Sequence, residues 1–454
     1  MKYGLLFLSL WLASTAWSGS SPCFRFRVYL HEKGKVPFRI DQPEQFLSDE
    51  AIARREKQGI PITDSDLPIS PTYLDSLRQL GCRIVTQSKW MRTVVVEHAD
   101  SLMGERLSRL PMVDSVRWVW KGVASLPPVQ ADTSRLVLEE EPLKSYYGYA
   151  EKQIRLLKGD KLHKAGFRGA GMTIAILDAG FTNANRMEAF AATRIRGMYN
   201  VVYPGHTVFA GDDHGTKVFS CLASRLPHLL VGTAPEASYW LIKSEETRTE
   251  FPIEEDYWAA AVEYADSVGV DVVSSSLGYF AFDDSTLNYT PEQLDGQTAF
   301  ISRVASCAAE KGLLVVSSAG NEGNSEWKKI TVPADAADIL TVGAVTEKRK
   351  RSPFSSLGYT ADGRVKPDVV SMGSGCYVLE GDGSLRTANG TSFATPILAG
   401  LATCLWQALP HLDARAIRLL VCRYASQYRR PDAELGYGIP NIYQSYKKGS
   451  KYGK

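Results

Sequence analysis

A parallel α/β sheet with helices on both faces, preceded by a smaller α+β unit, is the fold this sequence predicts. Two observations carry the prediction. From Thr173 onward, short apolar and partly β-branched runs alternate with longer helical ones, which is the pattern of a parallel sheet. Before that, residues 24–119 mix strands and helices without such alternation. A low-complexity stretch with Pro127-Pro128 and Glu139-Glu140-Glu141 separates the two parts. The chain has 454 residues, 44% of them apolar, which is ample for one large and one small domain.

In chain order, Lys2, an apolar run over residues 4–13 and small residues at Ala16 and Ser18 predict a signal peptide over residues 1–18. That run is too short to span a bilayer, and Cys23 lacks the upstream residues of a lipoprotein site. Export to a periplasm or the medium, without a membrane anchor, is therefore expected. Residues 19–122 form the small unit: strands over 24–30, 91–96 and 113–119, helices over 47–58, 72–80 and 99–110. Residues 123–148 read as an exposed linker open to proteolysis. Residues 149–446 form the large domain, and residues 447–454 a Lys- and Tyr-rich tail. Its strands are placed at 173–177, 239–243, 271–275, 313–318, 339–345 and 368–371. Its helices are placed at 217–226, 255–267, 297–311 and 392–409.

The net charge of +2 implies no nucleic-acid partner. Seven cysteines, an odd number without C-x-x-C spacing, argue against a metal site or a dense disulfide framework. They leave room for one or two disulfides, though buried free thiols fit their apolar helical settings better.

Four short runs carry chemistry. Ile174-Ala175-Ile176-Leu177-Asp178-Ala179-Gly180 ends a buried strand with a carboxylate, at the strand end where open α/β sheets place functional groups. Asp213-His214-Gly215-Thr216 puts an imidazole beside a glycine at a helix start. Asn389-Gly390-Thr391-Ser392-Phe393-Ala394-Thr395-Pro396 puts a hydroxyl at the start of an apolar helix, where the dipole favours a developing anion. Ser318-Ala319-Gly320-Asn321 follows a strand and offers a side-chain amide. Taken singly, these are a turn Asp, an exposed His, a capping Ser and a turn Asn.

Together, in the order Asp, His, Asn, Ser, the four runs resemble the subtilisin-like serine endopeptidases over roughly residues 150–445. The resemblance implies that Ser392 is the nucleophile, His214 the base, Asp178 its orienting partner, and Asn321 with the Ser392 N–H the oxyanion donors. It also implies that Ser275, Ser276, Leu277, Gly278, Ser318, Ala319 and Gly320 form backbone walls for an extended peptide and flank the first specificity pocket. The small N-terminal unit is similar to the inhibitory propeptides that precede such enzymes, so a zymogen is expected, with its own propeptide and protein or peptide substrates as partners. No cofactor is required and no metal ligand is assigned; structural calcium is left open but not indicated. Two departures stand out: Ala179 replaces a usual Ser or Thr beside the Asp, and Lys217 replaces a usual His. The alternative is a catalytically silent peptide-binding protein of the same fold.

Overall fold

The computed structural model describes residues 22–123, 126–130 and 132–451; the expected signal peptide lies outside them. The N-terminal unit contains β1 (Cys23–Leu30), α1 (Asp49–Gln58), α2 (Pro71–Gln79), β2 (Arg83–Ser88), β3 (Thr93–His98), α3 (Met103–Leu107) and β4 (Val113–Gly122). Its strands form an antiparallel sheet in the order β2-β3-β1-β4. Strand β2 was not foreseen, because its half-exposed, polar pattern carries no apolar alternation. The helix expected over 99–110 shrinks to α3. Asp100 instead forms a local turn, its carboxylate accepting from Leu102 N and its own N–H donating to His98.

Strand β1 shows how one pleated strand serves two partners. Phe26, Val28 and Leu30 point into the unit's own core with Leu77, Val94, Val96 and Met103. Arg25, Arg27 and Tyr29 point the other way, toward the large domain.

That domain opens with α4 (Glu151–Leu156), α5 (Gly159–Lys164), β5 (Thr173–Asp178), β6 (Arg194–Asn200) and α6 (His214–Ala223). The two-residue pair β7 (Arg225–Leu226) and β8 (Leu230–Val231) follows, then β9 (Ser238–Lys243), α7 (Ile253–Ser267), β10 (Val272–Ser275), α8 (Phe300–Glu310) and β11 (Leu314–Ser318). It closes with β12 (Leu340–Val345), β13 (Val369–Met372), the hairpin β14 (Cys376–Leu379) and β15 (Leu385–Ala388), α9 (Thr391–Ala408), α10 (Ala414–Arg423) and α11 (Ile442–Gly449). Seven strands pair in parallel in the order β13-β12-β11-β10-β5-β9-β6. The edge strand β6 was missed because Arg194, Arg196 and Gly197 dilute its apolar signal. The helix expected over 217–226 starts earlier, at His214, and stops at Ala223, since Arg225 and Leu226 pair with Val231 and Leu230.

Side-chain alternation divides the interior in two. Ile174, Ile176, Val316 and Val342 pack with α6 and α9 in one core; Ala175, Leu177, Val273 and Val315 pack with α7 and α8 in the other. Helix α9 is buried at every position from Thr391 to Trp406, as an apolar helix with no polar stripe must be. The second core continues into the N-terminal unit through Trp90, Val95, Val119 and Trp120. Among the described residues no cysteine forms a disulfide, so the room left for disulfides is not used. Among the described residues, no helix is long and apolar enough to cross a membrane.

Candidate active site

The carboxyl end of β5 delivers Asp178, which is fully buried. Its Oδ1 accepts from Ala179 N at 2.8 Å and lies 2.7 Å from His214 Nδ1. A carboxylate accepts, so Nδ1 carries the proton and Nε2 is left as the basic nitrogen. Two motif glycines permit this approach. A Cβ on Gly215 would lie 2.4 Å from the Gly180 carbonyl oxygen, so only glycine lets the start of α6 come so close to the end of β5. Asp178 Oδ2, by contrast, is buried with no hydrogen-bond partner among the described residues. A hydroxyl at position 179 is the natural group to fill it, and Ala179 has none.

Asp212 fixes the start of α6 by accepting from His214 N at 2.7 Å. Asp213 pairs with Lys217 at 2.9 Å, which accounts for the lysine that departs from the family pattern. Burial alone would lower the pKa of His214, but Asp178, with smaller help from Glu245 and Asp212, pushes it up to about 9.

Ser392 is the second residue of α9. Its Oγ donates to the Ser276 carbonyl at 3.2 Å, and Ser276 Oγ donates back to the Ser392 carbonyl at 2.9 Å. The second bond has a sequence cause. Pro396 lies inside α9 and has no N–H to give Ser392 O, four residues earlier, so that carbonyl is free for Ser276. Because α9 starts at Thr391, Pro396 falls one residue deeper than a helix starting at Ser392 would put it. Ser392 N, among the first amides of the helix, has no hydrogen-bond acceptor among the described residues. Ser392 Oγ does not bond His214 in this conformation, although both line the same cleft.

Asn321 is oriented without ambiguity. Its Oδ1 accepts from Thr391 N and Thr391 Oγ1, both at 2.9 Å. An amide N–H can only donate, so the atom facing it is Oδ1, and Nδ2 is left for the cleft. A cavity of about 340 Å³ is lined by His214, Ser392 and Asn321 together with Ser276, Leu277, Gly278, Ser318 and Gly320. Ser275 and Ala319, expected among the walls, are not part of this lining. Ser275 Oγ accepts from Trp258 Nε1 on the opposite face of β10, and Ala319 is fully buried with its N–H and carbonyl committed to Val342 and Thr331.

Other lining residues escaped sequence reasoning: Glu245, Thr247, Phe280, Glu322 and Thr331. Glu245 carried a usable signal, lying two residues past the carboxyl end of β9. Burial first, then Glu250 and Asp178, push its carboxyl up to about 8. Thr331 had no local signal, because a distant loop brings it in.

Residues 169–438 match the model of the subtilase family of S8 peptidases. The chain belongs to the subtilase family. Residues 25–135 match the S8 propeptide domain of Bacteroidota, so the N-terminal unit is a propeptide domain. Among curated relatives, subtilisin DY of Bacillus licheniformis is 29% identical over 274 residues, 58% of this chain and 87% of its own length. Subtilisin NAT of Bacillus subtilis subsp. natto and subtilisin E of Bacillus subtilis strain 168 are each 27% identical over 287 residues, 62% of this chain and 68% of theirs. This subtilase is a serine endopeptidase made with a propeptide, on the parallel α/β fold the sequence predicts.

Proposed function

We propose that the chain is an exported zymogen that hydrolyses protein or peptide substrates through Asp178, His214 and Ser392. The observation that carries this reading is the 2.7 Å contact of His214 with buried Asp178 in a cleft shared with Ser392 and Asn321. Rotation about its Cα–Cβ bond turns Ser392 Oγ from the Ser276 carbonyl toward His214 Nε2. Oγ then attacks the substrate carbonyl as Nε2 takes its proton. The oxyanion meets two donors with no other partner, Asn321 Nδ2 and Ser392 N–H, at the positive end of α9. The imidazolium returns the proton to the leaving amine; water repeats the cycle on the acyl-enzyme. This chemistry calls for no cofactor. The extended substrate runs along Ser276–Gly278 and Ser318–Gly320.

Control lies in the linker. Leu126 and Val129 are more than four-fifths exposed, Leu126 O accepts from Arg248 beside the cleft at 3.4 Å, and Gln130 donates to Asn183 and Asn185. Cleavage within residues 123–148 frees the mature enzyme. The test compares peptide hydrolysis by the secreted protein and by Ser392→Ala. Hydrolysis lost in the variant, with precursor size retained, supports the reading. Undiminished turnover removes Ser392 from the mechanism, and no turnover by either protein favours the silent peptide binder.

A further inference from the structure

Between β1 and α2 the propeptide domain makes an excursion, residues 31–70, that carries α1. The ends of this excursion meet. Ser70 N donates to Lys33 O at 2.8 Å, and Lys33 Nζ donates to Asp64 O at 2.6 Å and Leu67 O at 2.8 Å. Among the described residues, none from 31 to 68 joins the domain's own apolar core, which takes Leu30 before the excursion and Ile69 and Leu77 after it. A segment outside its own core must be ordered by contacts elsewhere.

Those contacts lie on the catalytic domain. Ser48 N donates to Ser267 O, the last carbonyl of α7, at 2.9 Å, and Arg54 donates to Val270 O. Gln58 donates to Gly312 O at 2.9 Å and accepts from Ala414 N, at the start of α10, at 3.0 Å. Ala51 is fully buried. Gly269 and Gly312 sit in the left-handed turns just past α7 and α8. A Cβ on Gly269 would fall 2.7 Å from Ala51 N, and one on Gly312 would fall 2.6 Å from Ile60 Cδ1. Helix α1 thus lies across the ends of α7 and α8, where both have given up a side chain.

The surface that receives α1 is electronegative. It presents the carbonyl end of α7, where the macrodipole is negative, and Asp266 in the last turn of that helix. Asp266 is fully buried, and among the described residues the cations that pair with it, Arg54 and Arg55, both come from α1. This surface is also far from the chemistry. Val270 lies just before β10 and Gly312 just before β11, so α1 sits at the amino end of the parallel strands. Ser276 and Asn321 lie past the carboxyl ends. At about 3.3 Å per residue, Val270 and Ser276 are about 20 Å apart. The domain's last strand, β4, instead leads into the linker that Arg248 holds beside the cleft.

We infer that residues 35–68 are a docking arm and that the amino end of the catalytic sheet is its receptor, a surface built to take a helix bearing paired arginines. The propeptide domain is thereby held at a second place, independent of the cleft. Cutting the linker and emptying the cleft does not by itself release it. A second attachment on one domain acts at high effective concentration, and it strengthens retention by about 10²–10⁴.

An added protease makes the cut in the test, so the result does not depend on the catalytic reading. The full-length Ser392→Ala chain carries the recognition site of a sequence-specific protease in place of residues 126–130. After cutting and dilution, size-exclusion chromatography follows the rate at which the propeptide domain leaves the catalytic domain. Two variants of this parent are compared. In one, a short glycine-serine link replaces residues 36–67, which the 2.8 Å contact of Ser70 with Lys33 makes possible. The other, Ala51→Glu, drives an unpaired carboxylate into the contact with Gly269. Excision should speed release by about a hundredfold or more. Ala51→Glu should speed it by about tenfold or more, as burial of an unpaired charge requires. Hydrogen exchange of β1–β4 in the uncut chains should stay as in the parent. Release at the parent's rate in both variants overturns the inference, and so does immediate loss of the propeptide from the parent itself. Faster release together with lost protection in β1–β4 also overturns it, since residues 35–68 would then belong to the domain's own fold. If the excised chain does not fold, Ala51→Glu alone decides.

Discussion

On one side of the central sheet, Ile174, Ile176, Val316 and Val342 meet α6 and α9 in a core made of uncharged side chains. On the other side, the propeptide domain meets α7 and α8 through charges. Arg27 grips Asp256 with two bonds of 2.7 Å, Arg55 joins Asp66 at 3.0 Å and Asp266 at 2.6 Å, and Lys311 reaches Asp66 at 3.0 Å. Glu263 on α7 accepts from Lys89 N at 2.8 Å and Trp90 N at 3.1 Å. The charged side chains of these ion pairs are nearly or wholly buried. The contrast is thermodynamic. Apolar burial gains steadily with area and has no reason to come apart. Buried ion pairs lose their hydration to gain each other, a near balance that separation reverses. Arg54 Nε, Arg55 Nε and Arg55 Nη1 are even buried without partners among the described residues, a cost that water would repay on separation. The permanent interior is apolar, whereas the propeptide interface sets buried ion pairs beside its apolar contacts at Trp90, Val95, Val119 and Trp120.

The largest effect should come from the site between these regions. Ser392→Ala is expected to lower kcat by about 10⁶, a size taken over from subtilisin itself. The sheet core should be untouched, because the Ser392 hydroxyl makes one hydrogen bond, to the Ser276 carbonyl, worth about 0.5–1.5 kcal/mol. Circular dichroism and turnover on the purified variant check both halves.

Next comes the charged interface. Arg27→Met strands Asp256 in a buried site and should weaken propeptide docking by about 3–5 kcal/mol, whereas the pair Arg27→Met with Asp256→Leu should restore most of it. Inhibition of the processed enzyme by each propeptide variant measures the difference. Equal weakening by the single and the paired change would show that the contact is valued for its packing and not its charge.

A comparable loss in rate, about 10²–10³ in kcat with little change in KM, is expected for Asn321→Ala, again a magnitude borrowed from subtilisin. A change mainly in KM would place Asn321 in substrate binding. The smallest effect is on pH dependence. A base must be unprotonated to act, and Asp178 holds the His214 pKa above its ordinary 6.5, up to about 9. Activity should therefore rise with pH through the alkaline range, and Asp178→Asn should move that limb downward along with the rate.

The sequence made the sheet legible because parallel strands buried on both faces are continuous apolar runs, as over 173–177 and 313–318. The four site residues stood in short motifs, so their identities and order could be read locally. What local reading missed depends on distant contacts. Edge strand β6 alternates only between exposed and half-buried positions, so its apolar signal is weak and its pairing with β9 specifies it. Thr331 reaches the cleft only because Val332 pairs with Tyr279. Ser275 was assigned to the wall, but pleating turns its hydroxyl toward Trp258. Helices α10 and α11, both amphipathic, were passed over because no motif drew attention to the end of the chain.

The central claim is that Ser392 is made nucleophilic by His214 as held by Asp178. The most direct measurement is labelling of the processed protein with a fluorophosphonate, followed by mapping of the modified residue in the wild type, His214→Ala and Asp178→Asn. The label should fall on Ser392 alone in the wild type, with a rate that collapses in both variants. Label on another serine, or equal labelling of Ser392 without His214, would contradict it.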